Sequence, residues 1–154
     1  MKKVKTIKNI VAFLLITAVL FSMSACNGQP KNENKNTVVF TDALGREVNV
    51  KKNPERVAAL LGSFADVWML AGGKLCASAE DAWEDFGLDL GDAVNIGGAH
   101  SPSLELLISA DPDFVIASAS TASNVELRET FEAMGIAVAY FDVDSFDDYL
   151  KMLD

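Results

Sequence analysis

Residues Gly97–Ser118 read GGAHSPSLELLISADPDFVIAS, and the order of signals within them decides the fold. Ser101-Pro102 marks a helix start. A serine offers its side-chain oxygen to open backbone N–H groups, and proline suits the first helical position, where its missing N–H costs nothing. Leu104, Leu107 and Ile108 then share one face of the expected helix, with Glu105 to its side in an early turn. Asp111-Pro112 ends the helix, because proline cannot continue it and biases the preceding residue toward extended backbone. DFVIAS follows as a strand with no polar face. A strand that is apolar on both sides belongs to a parallel sheet covered on both faces.

The same alternation extends in both directions. RVAALL (56–61), KLCAS (74–78), AVNI (93–96) and IAVAYF (136–141) read as strands. SFADVWMLAGG (63–73) reads as a helix with a Ser63 cap and a terminating glycine pair, and EDAWEDFGLDLGD (80–92) as an acidic, aromatic loop or short helix. NVELRETFEAMG (124–135) is an amphipathic helix ending at Gly135. SFDDYLKMLD (145–154) opens another helix, with acidic residues where the helix dipole favours them. Residues 37–50 differ: TVVF and EVNV flank TDALGR, whose Asp42 and Gly45 suit the turn of a hairpin. The expected fold is therefore α/β, a parallel sheet with helices on both faces preceded by a β-hairpin. The last helix carries no C-terminal signal before Asp154, which reads as a truncated chain.

The amino-terminal residues set the compartment. Lys2, Lys3, Lys5 and Lys8 precede the apolar run Ile10–Phe21, and small residues and Cys26 follow. That is the layout of a secretory signal peptide, and the run is short for a membrane span. Met23-Ser24-Ala25-Cys26 resembles the lipobox of bacterial lipoproteins, with Met23 where leucine is usual. This divides the chain into a signal peptide (1–25), a lipidated Cys26 with a polar tether (26–36), and a folded body (37–154). Removal of the leader leaves 9 of the 13 basic residues against all 22 acidic ones, a net charge of −13. So acidic a body is a poor partner for nucleic acid or anionic lipid head groups, and the acyl chains on Cys26 would hold it at the membrane. With Cys26 lipidated, Cys76 has no disulfide partner and reads as a small buried residue.

In open α/β sheets ligands sit outside the carboxyl ends of the strands. Five loops qualify: 62–64, 78–86, 97–101, 118–123 and 142–145. They offer hydroxyls, glycines, Trp83, Phe86, His100 and carboxylates, and no lysine or arginine. No G-x-S-x-G elbow and no phosphate loop of the G-x-x-x-x-G-K form occurs, and a His100–Glu105 spacing is not a metal-ligand pattern, so neither a catalytic residue nor a metal site is expected. His100 has three readings: pocket lining, exposed loop, or metal ligand. Trp83 is either a stacking surface for a flat ligand or a residue that pins its own loop. Glu105 by itself is a helix-dipole partner.

As an ensemble, the lipobox, FTDALGREVNVKKNPERVAAL, the helix ending in LAGG, NIGG and SPSLELLISADPDFVIAS resemble the solute-binding lipoproteins of ABC importers for iron-siderophores, haem and cobalamin. The resemblance spans residues 37–154. It implies two α/β lobes joined by a rigid helix with ligand between them, of which this chain is the amino-terminal lobe. It implies a non-enzymatic, monomeric protein, lipid-anchored on the extracytoplasmic face of the cell membrane. Its ligand would be a ferric chelate, haem or corrinoid, with no other cofactor. It assigns Glu105 to docking on arginine pockets of the membrane permease. Loop position gives the expected ligand contacts: Ser63, Trp83, His100, Ser101, Ser118 and Ser120. The alternative reading is a truncated lipoprotein fragment that binds no ligand, or a lobe that engages other proteins.

Overall fold

A computed structural model describes residues 36–153. The signal peptide, Cys26 and most of the tether lie outside these residues. The described chain begins with a hairpin, β1 (Thr37–Thr41) against β2 (Glu47–Lys51), antiparallel with Phe40 opposite Val48. Its turn forms because Asp42 Oδ1 accepts the N–H groups of Leu44 and Arg46, both at 3.0 Å, and Gly45 takes the left-handed φ of +75° that the turn needs. Val48 and Val50 alternate inward and are buried.

Five parallel strands follow: β3 (Val57–Ala59), β4 (Leu75–Ser78), β5 (Val94–Asn95), β6 (Phe114–Ser118) and β7 (Ala137–Phe141). Their spatial order is β5-β4-β3-β6-β7. The first three strands run outward on one side of β3; the chain then returns past β3 to place β6 and β7 on its other side. The helices are α1 (Gly62–Leu70), α2 (Asp81–Glu84), α3 (Leu104–Ser109), α4 (Ala122–Glu126), α5 (Arg128–Met134) and α6 (Phe146–Leu153).

β6 shows why the sheet must be covered on both sides. All five of its residues are buried. Val115 and Ala117 enter one core with Leu60, Ile96, Leu107 of α3 and Phe131 of α5. Phe114 and Ile116 enter the other with Phe64 and Ala65 of α1 and Val48 and Val50 of the hairpin. The period-2 alternation of a strand distributes its residues between the two cores, and the expected fold class holds.

Several local boundaries differ from the sequence reading. Ser63 does not cap α1; the cap position is Leu61, whose backbone is extended, and Asp81 Oδ2 instead accepts the Gly62 N–H at 2.8 Å. Ser103, not Ser101, caps α3. Its Oγ accepts from Leu106 N at 3.4 Å, while its own N–H is held by the Ile96 carbonyl at 2.6 Å, so the helix starts after Pro102 rather than at it. In this six-residue helix only the Leu104–Leu107 line reaches the core, and Ile108 faces outward. The expected 124–135 helix is broken at Leu127. The Tyr140 hydroxyl donates to the Asn124 carbonyl at 2.9 Å, the acceptor that a continuous helix would offer to the Arg128 N–H. Gly135 ends α5 in the left-handed conformation, as expected. Cys76 is half-buried and sits at a register shift between β3 and β4, and burial pushes its thiol pKa up.

Candidate functional site

The sheet order creates one crevice by topology. The connections leaving β3 and β6 depart in opposite directions, so the carboxyl ends of these two neighbours open a gap at the strand-order reversal, where open α/β sheets bind ligands. A pocket of about 250 Å³ lies there. Ser63 stands on the first turn of α1, immediately after β3. Ser118 ends β6, and Ser120 lies in the loop after it. Phe86 closes one side from beyond α2, and Tyr149 and Met152 of α6 face the pocket from another. Asp66, one turn along α1 from Ser63, is the charged residue of the wall.

The hydroxyls are held by their own loop. Ser118 is buried, and its Oγ lies 3.0 Å from Ser120 Oγ and accepts the Ser120 N–H at 3.2 Å. Asn124, completely buried, ties this loop to the next. Its Oδ1 accepts the Ser118 N–H at 3.1 Å and its Nδ2 donates to the Ala99 carbonyl at 3.2 Å. Ser123 Oγ donates to the same carbonyl at 3.4 Å. The 97–101 loop is fastened on its other side by Glu80 N–H to the Gly97 carbonyl, 2.9 Å. Three of the five carboxyl-end loops therefore form one laced rim.

α1 and α2 meet at a close contact that sets the position of Phe86. A Cβ on Gly62 would lie 2.7 Å from Ala82 N and 2.8 Å from Phe86 Cδ2. Only glycine allows α2 to seat there. The Asp81 carboxylate then binds the Gly62 N–H through Oδ2, while Oδ1 is buried with no hydrogen-bond partner.

Of the expected contacts, Ser63, Ser118 and Ser120 line this pocket together. Trp83, His100 and Ser101 do not line it. Trp83 is half-buried and packs against the α1-side core, which favours the loop-pinning reading. His100 and Ser101 are exposed on the 97–101 loop, and no group of three or more His, Cys, Asp or Glu residues suited to a metal ion occurs among the described residues. Glu105 is exposed on the first turn of α3, on the same rim. Asp66, Tyr149 and Met152 went unread, although each carried a signal: Asp66 follows Ser63 by three residues and Met152 follows Tyr149 by three, spacings that share a helix face.

A larger cavity, about 870 Å³, lies at the other end of the sheet and is lined by Arg56, Lys74, Leu75, Cys76, Val94 and neighbours. It opens at the amino ends of the strands. Size alone favours it, but strand topology places ligand sites at the opposite end.

No family model matches the chain. The chain is similar to the Fe(3+)-citrate-binding protein of Bacillus subtilis, 28% identical over 160 aligned positions that cover 94% of this chain and 50% of that protein. It therefore spans about half the length of that relative. Solved structures with the same fold include the petrobactin-binding protein of Bacillus subtilis (TM-score 0.60, 20% identity, 75% of this chain and 42% of that one). A Staphylococcus aureus protein complexed with staphyloferrin B matches with TM-score 0.55 and 23% identity, over 76% and 41% of the two chains. A haem-binding protein matches with TM-score 0.62 and 21% identity, over 75% and 39%. The named relatives are binding proteins rather than enzymes. The resemblance read from the sequence therefore stands: the chain is similar to the solute-binding proteins for iron-siderophores and haem, and its described residues have the fold of one of their lobes.

Proposed function

We propose that the chain is the amino-terminal lobe of the substrate-binding component of an ABC importer. It captures an iron-siderophore, haem or cobalamin-type ligand outside the cytoplasmic membrane and delivers it to the permease. The observation that carries this reading is the pocket at the strand-order reversal, where three hydroxyls stand opposite aromatic and apolar side chains. Such a wall suits a bulky chelate, whose rim takes hydrogen bonds and whose flat or apolar faces take Phe86 and Tyr149. The similarity to a ferric citrate-binding protein supports it.

In this reading the chain is a monomer held by lipid on Cys26, and the exposed Glu105 meets arginines of the permease. A carboxylate on a mobile-partner rim gives register and association rate through charge-assisted hydrogen bonds. The mechanism is capture, docking and release; it needs no covalent step. Titration of the chain with ferric chelates, haemin and a corrinoid, followed by the fluorescence of Trp68 and Trp83, tests the reading. Saturable quenching by at least one of them is expected, and no response to any of them contradicts it. The second reading, a lobe that engages another protein, is favoured by α6, whose Phe146 is 72% exposed beside exposed Val143 and Leu150. Flat titrations together with ligand-independent pull-down of a partner through that face would favour it.

A further inference from the structure

Resting on the reading of this pocket as a chelate site, we infer that it selects ferric chelates of neutral or positive net charge over anionic ones. The charge of the pocket wall is acidic. Asp66 stands in the pocket wall. The adjoining hollow, about 300 Å³, shares Val143 and Met152 with it and adds Asp142 and Asp148. Five described cations lie elsewhere. Arg56 and Lys74 directly precede β3 and β4, at the amino ends of the strands, and line the opposite cavity. Lys51 reaches Asp113, just before β6, at 3.1 Å. Arg46 is committed to Asp42 and Glu132, at 2.6 and 2.8 Å, and Arg128 lies beside Glu132. Among the described side chains, no lysine or arginine lines the pocket.

The positive end of α1 is the feature that would favour an anion here, since open N–H groups and the helix dipole attract negative charge. That position is taken by the chain itself. Asp81 Oδ2 accepts the Gly62 N–H, and Asp81 Oδ1 has no hydrogen-bond partner. The Gly62 N–H at this terminus is therefore already bound by a carboxylate of the chain itself, and a ligand carboxylate cannot take it. An anionic chelate would meet Asp66 in the pocket wall and Asp142 in the adjoining hollow, with no lysine or arginine among the described side chains of the wall; a neutral or cationic one meets hydroxyls, aromatic faces and favourable charge. Like charges in a partly enclosed pocket are screened less than at open surface.

The test is a competition among three iron compounds on the full chain: a ferric trihydroxamate bearing a free ammonium group, ferric citrate, and haemin. The expected result is tighter binding of the cationic trihydroxamate by about tenfold or more. Asp66→Lys should narrow or reverse that preference while leaving the melting temperature near its original value. Ferric citrate or haemin binding as tightly as the trihydroxamate, or tighter, overturns the charge selection and leaves chelate binding standing. An unchanged preference in Asp66→Lys also overturns it. Binding of none of the three contradicts the chelate-binding reading itself, and this inference falls with it.

Discussion

At the scale of single residues, Asp42 does the most to hold the hairpin to the sheet. Its carboxylate is inaccessible to solvent, accepts two N–H groups of its own turn, and pairs with Arg46 at 2.6 Å. Arg46 then bonds Glu132 and the Val138 carbonyl and lies over the Tyr140 ring, 4.9 Å from its centroid. Burial pushes the Asp42 carboxyl up, but the Arg46 guanidinium and the N–H donors outweigh it and hold the pKa below the ordinary value. Burial also pushes the Tyr140 phenol up to about 12. Because the folded Asp42 pKa lies below its unfolded value of about 4, its stabilisation is complete above that value. It is lost as pH falls through the folded pKa. Asp42→Asn should lower stability at neutral pH by about 2 kcal/mol and flatten the acid limb of the stability curve. Urea melts at several pH values check both.

Glu105 is the residue whose role the sequence could raise but local physics could not assign. In the structure it is exposed on α3, and among the described residues its side chain has no hydrogen bond or ion pair that would explain it as a fold element. Glu105→Lys should leave the melting temperature within about 1 °C, since exposed substitutions cost little. If docking is its role, transport through the cognate permease should fall about tenfold or more. Unchanged uptake in that variant contradicts the docking role.

At the scale of elements, the junction of α1 and α2 links fold to site. Gly62 admits the backbone of Ala82, Asp81 closes the gap with one hydrogen bond, and Phe86 reaches the pocket as a result. Gly62→Ala should cost roughly 1–3 kcal/mol by overpacking, and it should weaken ligand binding beyond what the loss of stability explains, because Phe86 moves with α2. Thermal melts beside ligand titrations separate the two effects. Equal affinity at reduced stability would show that Phe86 contributes nothing to binding.

This junction also marks where sequence reading stops. Strand and helix order was legible because β6 carries a continuous apolar run, and because glycine ends both α1 and α5 with their expected chemistry. The caps were not. Asp81 lies 19 residues from the N–H it binds, and Ser103 is selected over Ser101 because Ile96 holds its backbone. The break at Leu127 depends on a hydroxyl from β7. Each of these is a tertiary contact, invisible to local propensity. The site was half-legible for the same reason. Ser63, Ser118 and Ser120 follow from strand ends alone, whereas the contributions of Asp66, Tyr149 and Met152 depend on how α1 and α6 lie over the sheet.

At the scale of the whole molecule, strand topology points to the carboxyl end of the sheet. Strand order opens the crevice there, hydrogen bonds lace its rim loops together, and Arg56 and Lys74 line the cavity at the other end. The proposed lipid anchor belongs to the same scale. Cys26→Ala should move the protein from the membrane fraction to the soluble one without altering ligand affinity, as fractionation and titration of the same variant can establish. The central claim, that ligand binds at the strand-order reversal, is tested most directly by amide NMR. A gallium chelate, diamagnetic in place of iron, is titrated into the labelled chain. Shifts confined to residues 61–66, Phe86 and 118–121 are expected. Shifts centred on Arg56, Lys74 and Cys76 at the opposite cavity, or no saturable shifts at all, would contradict it.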